Sequence, residues 1–106
     1  MRAYDIKRGH FKNIDGKLEE IAKDIFGALD EVEGKFKTSY GALNQLEFWL
    51  EGKKVLWVDT DLTKGVDDDT AMKTHRKYNE FLLTATGFNA KERAKRMKDK
   101  AKKGTL

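Results

Sequence analysis

The sequence predicts an α+β fold, an antiparallel β-sheet packed on one face by helices in the order β-α-β-β-β-α, plus a basic C-terminal helix. Three observations predict it. A broad apolar stripe at helical spacing follows a short alternating segment near the N-terminus. A long alternating run in the middle of the chain reads as strands joined by tight turns. A second amphipathic helical pattern follows that run. Helices on either side of a meander, each with one apolar face, have to bury those faces on the sheet.

The first strand is "RAYDIKR", where Tyr4 and Ile6 alternate with Asp5 and Lys7. "GHFKNIDG" reads as a loop from its Gly, Asn and Asp content. Asp15 is then the expected N-cap of a helix whose stripe is Leu18, Ile21, Ala22, Ile25, Phe26 and Leu29. "DEVEG" is a connection that Gly34 closes. Phe36, Thr38 and Tyr40 alternate with Lys35, Lys37 and Ser39 in the next strand.

"LEFWLEGKKVLWVDTDL" predicts a β-hairpin. With Gly52-Lys53 as a two-residue turn, Glu51 faces Lys54 as a cross-strand charge pair. That register puts Leu46, Phe48, Leu50, Val55 and Trp57 on the helix-covered face. It puts Trp49, Leu56 and Val58 on the other face with Glu47, Glu51 and Lys54. The second long helix is capped by one of Asp67, Asp68 and Asp69, and its stripe is Ala71, His75, Tyr78, Leu82 and Ala85. Gly87 stops it and Asn89 caps the basic helix.

The chain has 106 residues, one domain's worth, divided here into an α+β domain over 1–88 and a basic helix or tail over 89–106. Lys and Arg number 14 against 16 Asp and Glu in residues 1–89, but 8 against 2 in residues 90–106. A mildly acidic body thus carries a strongly basic end, the asymmetry of an interaction segment. With no cysteine, disulfides and thiolate zinc sites are excluded. No apolar run approaches the roughly 20 residues of a membrane span, and the N-terminus lacks the apolar core of a signal peptide. The expectation is a cytoplasmic protein with no membrane partner.

The ending "TATGFNAKERAKRMKDKAKKG", following "FWLEGKKVLWVDTDL", resembles a family of small uncharacterised euryarchaeal proteins. The element order also resembles one half of a TATA-box-binding protein, a helix-backed curved antiparallel sheet. That likeness implies a fold and transfers no function. The phenylalanines which that protein wedges into DNA have no matched positions here.

Motifs for catalysis fail on inspection. An EF-hand loop begun at Asp59 would need Gly where Lys64 stands and Glu where Thr70 stands. His10 and His75 are the only histidines, too few for a three-ligand zinc centre without a placed carboxylate. His10 reads as a loop residue and His75 as a packing residue on a helix stripe. "EGKKV" lacks the spacing of a phosphate-binding loop. The expectation is therefore no enzyme, no metal and no cofactor.

In the basic segment Ala90, Ala94, Met97 and Ala101 form one narrow stripe, thin enough for the segment to be separable from the body. Lys91, Arg93, Lys95, Arg96, Lys98, Lys100, Lys102 and Lys103 fill the other directions and are the expected phosphate contacts of a weak, sequence-independent nucleic-acid-binding module. The alternative is a protein-interaction or homodimerisation module that uses Trp49, Leu56 and Val58 as its surface, since Trp is enriched at interface hot spots.

Overall fold

A computed structural model of the chain describes residues 2–52 and 54–102, with side chains as far as Asp99. Five strands, β1 (Arg2–Asp5), β2 (Asp30–Val32), β3 (Lys35–Tyr40), β4 (Leu43–Glu51) and β5 (Val55–Leu62), form one antiparallel sheet in the order β1-β5-β4-β3-β2. The helices α1 (Phe11–Ile14), α2 (Leu18–Phe26), α3 (Asp68–Thr86) and α4 (Ala90–Lys102) supply the second layer. The α+β fold with helices on one sheet face is as the sequence predicts.

Several local readings change. Asp15 caps the C-terminus of α1 rather than starting a helix. The stretch expected to be a loop holds that short helix, and Gly16 at φ 71° separates it from α2. Helix α2 stops at Phe26 instead of Leu29, because Gly27 at φ 90° takes the C-cap. "DEVEG" is not a plain connection. Val32 pairs with Lys35 across a two-residue turn in which Glu33 and Gly34 lie at φ 52° and 82°. Positive φ at both central positions matches the right-handed twist of a tight hairpin.

The hairpin β4–β5 is one residue out of the predicted register. Glu51 pairs with Val55, Trp49 with Trp57 and Phe48 with Val58. The strands therefore meet at Glu51 and Val55 rather than at Glu51 and Lys54, and the expected Gly52-Lys53 turn includes Lys53, which lies outside the described residues. Leu46 and Phe48 face the helices as predicted, but in β5 every face is inverted. Leu56 and Val58, at 0% and 2% exposure, belong to the core. Trp57 turns to the open face. The physical reason is on β5 itself. Asp59 and Asp61 share Trp57's parity, and burying that face would bury two carboxylates.

The core lies between the sheet and α2/α3. Phe81 packs on Phe48 at 4.7 Å and on Phe26 at 5.5 Å between ring centroids, and Phe36 stacks on Phe48 at 5.4 Å. Helix α3 is capped by Asp67, which accepts from the Thr70 N–H at 3.2 Å and from its hydroxyl at 2.6 Å. Those bonds hold the Asp67 carboxyl below its usual pKa. Helix α3 presents Thr74, Phe81, Leu82, Ala85 and Thr86 inward. Ala71 and His75, expected on the packed stripe, are exposed. Helix α4 begins in a reciprocal capping box: Asn89 Oδ1 accepts from Glu92 N at 2.9 Å, and Glu92 Oε1 accepts from Asn89 N at 3.1 Å.

Candidate nucleic-acid interface

The eight basic residues of the C-terminal segment do not form one surface. Arg93 points into the body and is 7% exposed, so it offers nothing to an outside phosphate. Arg96 reaches Asp5 Oδ2 with Nη2 at 2.9 Å and Nε at 3.2 Å, and its guanidinium lies 4.7 Å over the Phe88 ring. Lys91, Lys95 and Lys98, at +4 and +3 spacing, share a solvent-exposed flank. None of the three has an ion-pair partner among the described residues. The side chains of Lys100 and Lys102, and the whole of Lys103, lie outside the described residues. Helix α4 is docked on the body through Arg93, Arg96 and Met97, the last packed against the core cluster.

Arg96 belongs to a cleft that the basic run alone would not reveal. Lys7, Arg8, Lys54 and Arg96 line a space of about 840 Å³ together with Phe11 and Phe88. The cations come from three segments: the β1–α1 loop, the β4–β5 loop and α4. Backbone bonds fix the segments together. Ile6 N donates to Lys54 O at 2.8 Å, and Lys7 N donates to Thr86 O at 2.7 Å. The His10 ring holds the loop down, with Nε2 at 2.7 Å from Thr84 O and Nδ1 at 3.3 Å from Asn13 Nδ2. At Gly87 a Cβ would come within 3.0 Å of the His10 ring and of Lys7 Cβ. Close approach of loop and helix end therefore needs glycine there, beyond its φ of 82°.

Asp5 is the acid on the cleft wall, and Arg96 already engages it. A single cation near the C-terminus of α3 would be accounted for by the helix dipole. Four cations gathered from three segments exceed that. Phe88 is an aromatic beside the basic helix that reading the segment alone missed. Its ring is covered by Arg96, so phosphate contact fits the cleft better than base stacking.

The surface expected around Trp49, Leu56 and Val58 does not exist as such, because Leu56 and Val58 face the core. Trp49 instead stacks on Trp57, with centroids 6.4 Å apart and planes 14° apart. Lys35 Nζ sits 4.5 Å above the Trp49 ring, and Glu47 takes Lys35 at 3.7 Å and Lys37 at 3.4 Å. The Trp57 indole N–H donates to Glu51. The open sheet face is thus a ladder whose polar groups answer one another.

Among the described residues no group of three or more His, Asp or Glu is placed to hold a metal ion. No helix there is long and apolar enough to cross a membrane. Residues 1–99 match the family model described as a domain of unknown function, DUF5611, a match that runs into α4. No curated protein and no solved structure matches the chain.

Proposed function

We propose that this chain, which belongs to the DUF5611 family, is a small cytoplasmic domain that binds nucleic acid weakly and without sequence preference. Its phosphate contacts are Lys7, Arg8, Lys54 and Arg96 in the cleft. The observation that carries this reading is the convergence of four cations from three segments on one cleft whose acid, Asp5, is engaged by just one of them, Arg96. A merely solubilising tail would have no need to recruit Lys7 and Lys54. The exposed flank of Lys91, Lys95 and Lys98 adds long-range attraction for a polyanion.

The proposed contact does not use the open sheet face. That face carries Glu47, Glu51 and Asp59 among its lysines and would repel phosphates. A protein-interaction role for the Trp49 face has less support, since Trp49 and Trp57 already satisfy each other.

Fluorescence anisotropy with labelled duplexes of unrelated sequence, over a salt series, tests the reading. Four phosphate contacts predict a slope of log K against log salt of about −4. The triple variant Lys7→Gln/Arg8→Gln/Lys54→Gln is expected to flatten the slope to about −1. Lys91→Gln/Lys95→Gln/Lys98→Gln is expected to lower affinity with a smaller change of slope. Undetectable binding at low salt removes the function. A slope carried by the second triple instead of the first moves the contact off the cleft and onto the α4 flank.

A further inference from the structure

On the other side of α4, between the sheet, α3 and α4, lies a second cavity of about 550 Å³. That is within the roughly 300–1,000 Å³ of small-molecule pockets. Its walls are mostly apolar, with Leu43, Val66, Leu82 and Met97 among them, and its rim carries Leu62, 58% exposed. The narrow stripe of α4 explains why the space exists. Ala90 and Ala94 line it, and small side chains there leave unfilled the volume that larger ones would occupy.

The lining has a one-signed charge. The chain contains 18 Asp and Glu, yet none lines this cavity, while Arg2 and Arg93 do. Arg93 is the unusual member. More than nine-tenths buried, it donates from Nη1 to Phe88 O at 2.6 Å and from Nη2 to Asn79 Oδ1 at 2.6 Å. Both acceptors are neutral, and among the described residues no carboxylate lies within ion-pair distance of it. A guanidinium carries five N–H donors, so donors remain. Buried charges are ordinarily paired, because an uncompensated one is costly.

We propose that this cavity binds a small amphipathic monoanion, a carboxylate on an apolar body. The carboxylate pairs with Arg93, and the body lies against Leu43, Leu82 and Met97. Arg93 is the one buried cation of the lining, Arg2 being exposed, and a single carboxylate answers it. The planar fork of Arg suits a carboxylate's two oxygens. The Tyr78 and Tyr4 hydroxyls, 3.4 Å apart at the same wall, bond each other, which leaves one O–H of the pair free to donate to a ligand. Burial above all, and then the bond to Tyr4, push the Tyr78 phenol well above its usual pKa, so it keeps its proton at neutral pH. The cavity and the basic cleft share no lining residue, so this site stands independently of nucleic-acid binding.

Isothermal titration of the full chain with decanoate, decan-1-ol and butyrate tests the proposal. Decanoate is expected to bind about tenfold or more tighter than decan-1-ol, as one charge-assisted pair would give. Butyrate, which lacks the body, is expected to bind too weakly to measure. Arg93→Gln should bring decanoate down to the level of the alcohol, and Arg93→Lys should restore part of the difference. Ala94→Trp, which fills the cavity and leaves Arg93 in place, should abolish binding of both long-chain probes. Ala94→Trp and the comparison of probes on the unaltered chain decide the matter even if Arg93→Gln does not fold. Equal affinity for acid and alcohol, no binding of decanoate, or unchanged binding in folded Ala94→Trp would each overturn the proposal. So would loss of decanoate binding in the Lys7→Gln/Arg8→Gln/Lys54→Gln variant, which would place the anion in the cleft.

Discussion

Phe48→Ala is expected to lower the free energy of unfolding by about 3–5 kcal/mol, measured by urea denaturation. Phe48 is fully buried at the crossing of sheet and helix, with Phe36 stacked on it at 5.4 Å and Phe81 against it at 4.7 Å. Little can relax into the space, because its neighbours are rings fixed by their own packing. Two companion variants turn the measurement into a test of register. Leu56→Ala removes a core side chain and should cost about 2–5 kcal/mol. Trp57→Ala removes a stacked indole from the open face and should cost about 1–2 kcal/mol despite its greater size. If Trp57→Ala proved as damaging as Phe48→Ala while Leu56→Ala was silent, the β4–β5 pairing would be one residue off and the core would be built on the other face of β5.

That slip shows where the sequence is legible and where it is not. β4 reads correctly because Leu46 and Phe48 alternate with Gln45 and Glu47, so its parity is unambiguous. On β5, Val55, Leu56, Trp57 and Val58 are all apolar, and the alternation vanishes just where the turn must be placed. The favourable Glu51–Lys54 pair then selected a two-residue loop. The better signal lay further along the strand, where Asp59 and Asp61 mark the solvent face. A cross-strand ion pair contributes a few tenths of a kcal/mol, whereas inverting a strand exchanges whole core side chains. The helix starts at Asp67 and Asn89 and the stop at Gly87 are legible because each rests on local chemistry of a single turn.

The candidate sites are less legible for a related reason. Basic residues 91–103 announce themselves by composition, but composition does not say which side chains face inward. Arg93 sits one position before Ala94 in the chain, yet both line the same cavity, so the stripe of inward residues is wider than the apolar pattern suggests. Lys7, Arg8 and Lys54 look like ordinary surface charges along the chain. They become a cleft only when β1 pairs with β5 and the Lys7–His10 loop is drawn onto the end of α3. Non-local assembly of this kind leaves no spacing to read. The Gly87 approach and the His10 bond to Thr84 are its only local traces, and neither residue suggests a contact by type.

Among the described glycines, Gly41→Ala should be the most damaging methyl addition, at about 2–4 kcal/mol. Gly41 turns β3 into β4 at φ 51°, a conformation that glycine adopts without penalty. A Cβ there would fall 2.3 Å from Thr74 Oγ1, inside any real contact distance. That hydroxyl cannot simply rotate away. It accepts from the buried Ala42 N–H at 2.9 Å and donates to Thr70 O at 2.7 Å, the clamp that holds α3 against the β3–β4 turn beside the Arg93 cavity. Moving it strands the Ala42 N–H, and leaving it in place forces the turn outward. Backbone strain at positive φ adds about 1 kcal/mol whichever way the clash resolves. A double-mutant cycle separates the two contributions. In a Thr74→Ala background the clash is gone, so Gly41→Ala should cost only the strain, about 1 kcal/mol. An equal cost in both backgrounds, measured by urea denaturation, would mean that the turn does not rest on Thr74. The same variant should weaken decanoate binding at the cavity, because α3 would be displaced from the strand end that carries Leu43.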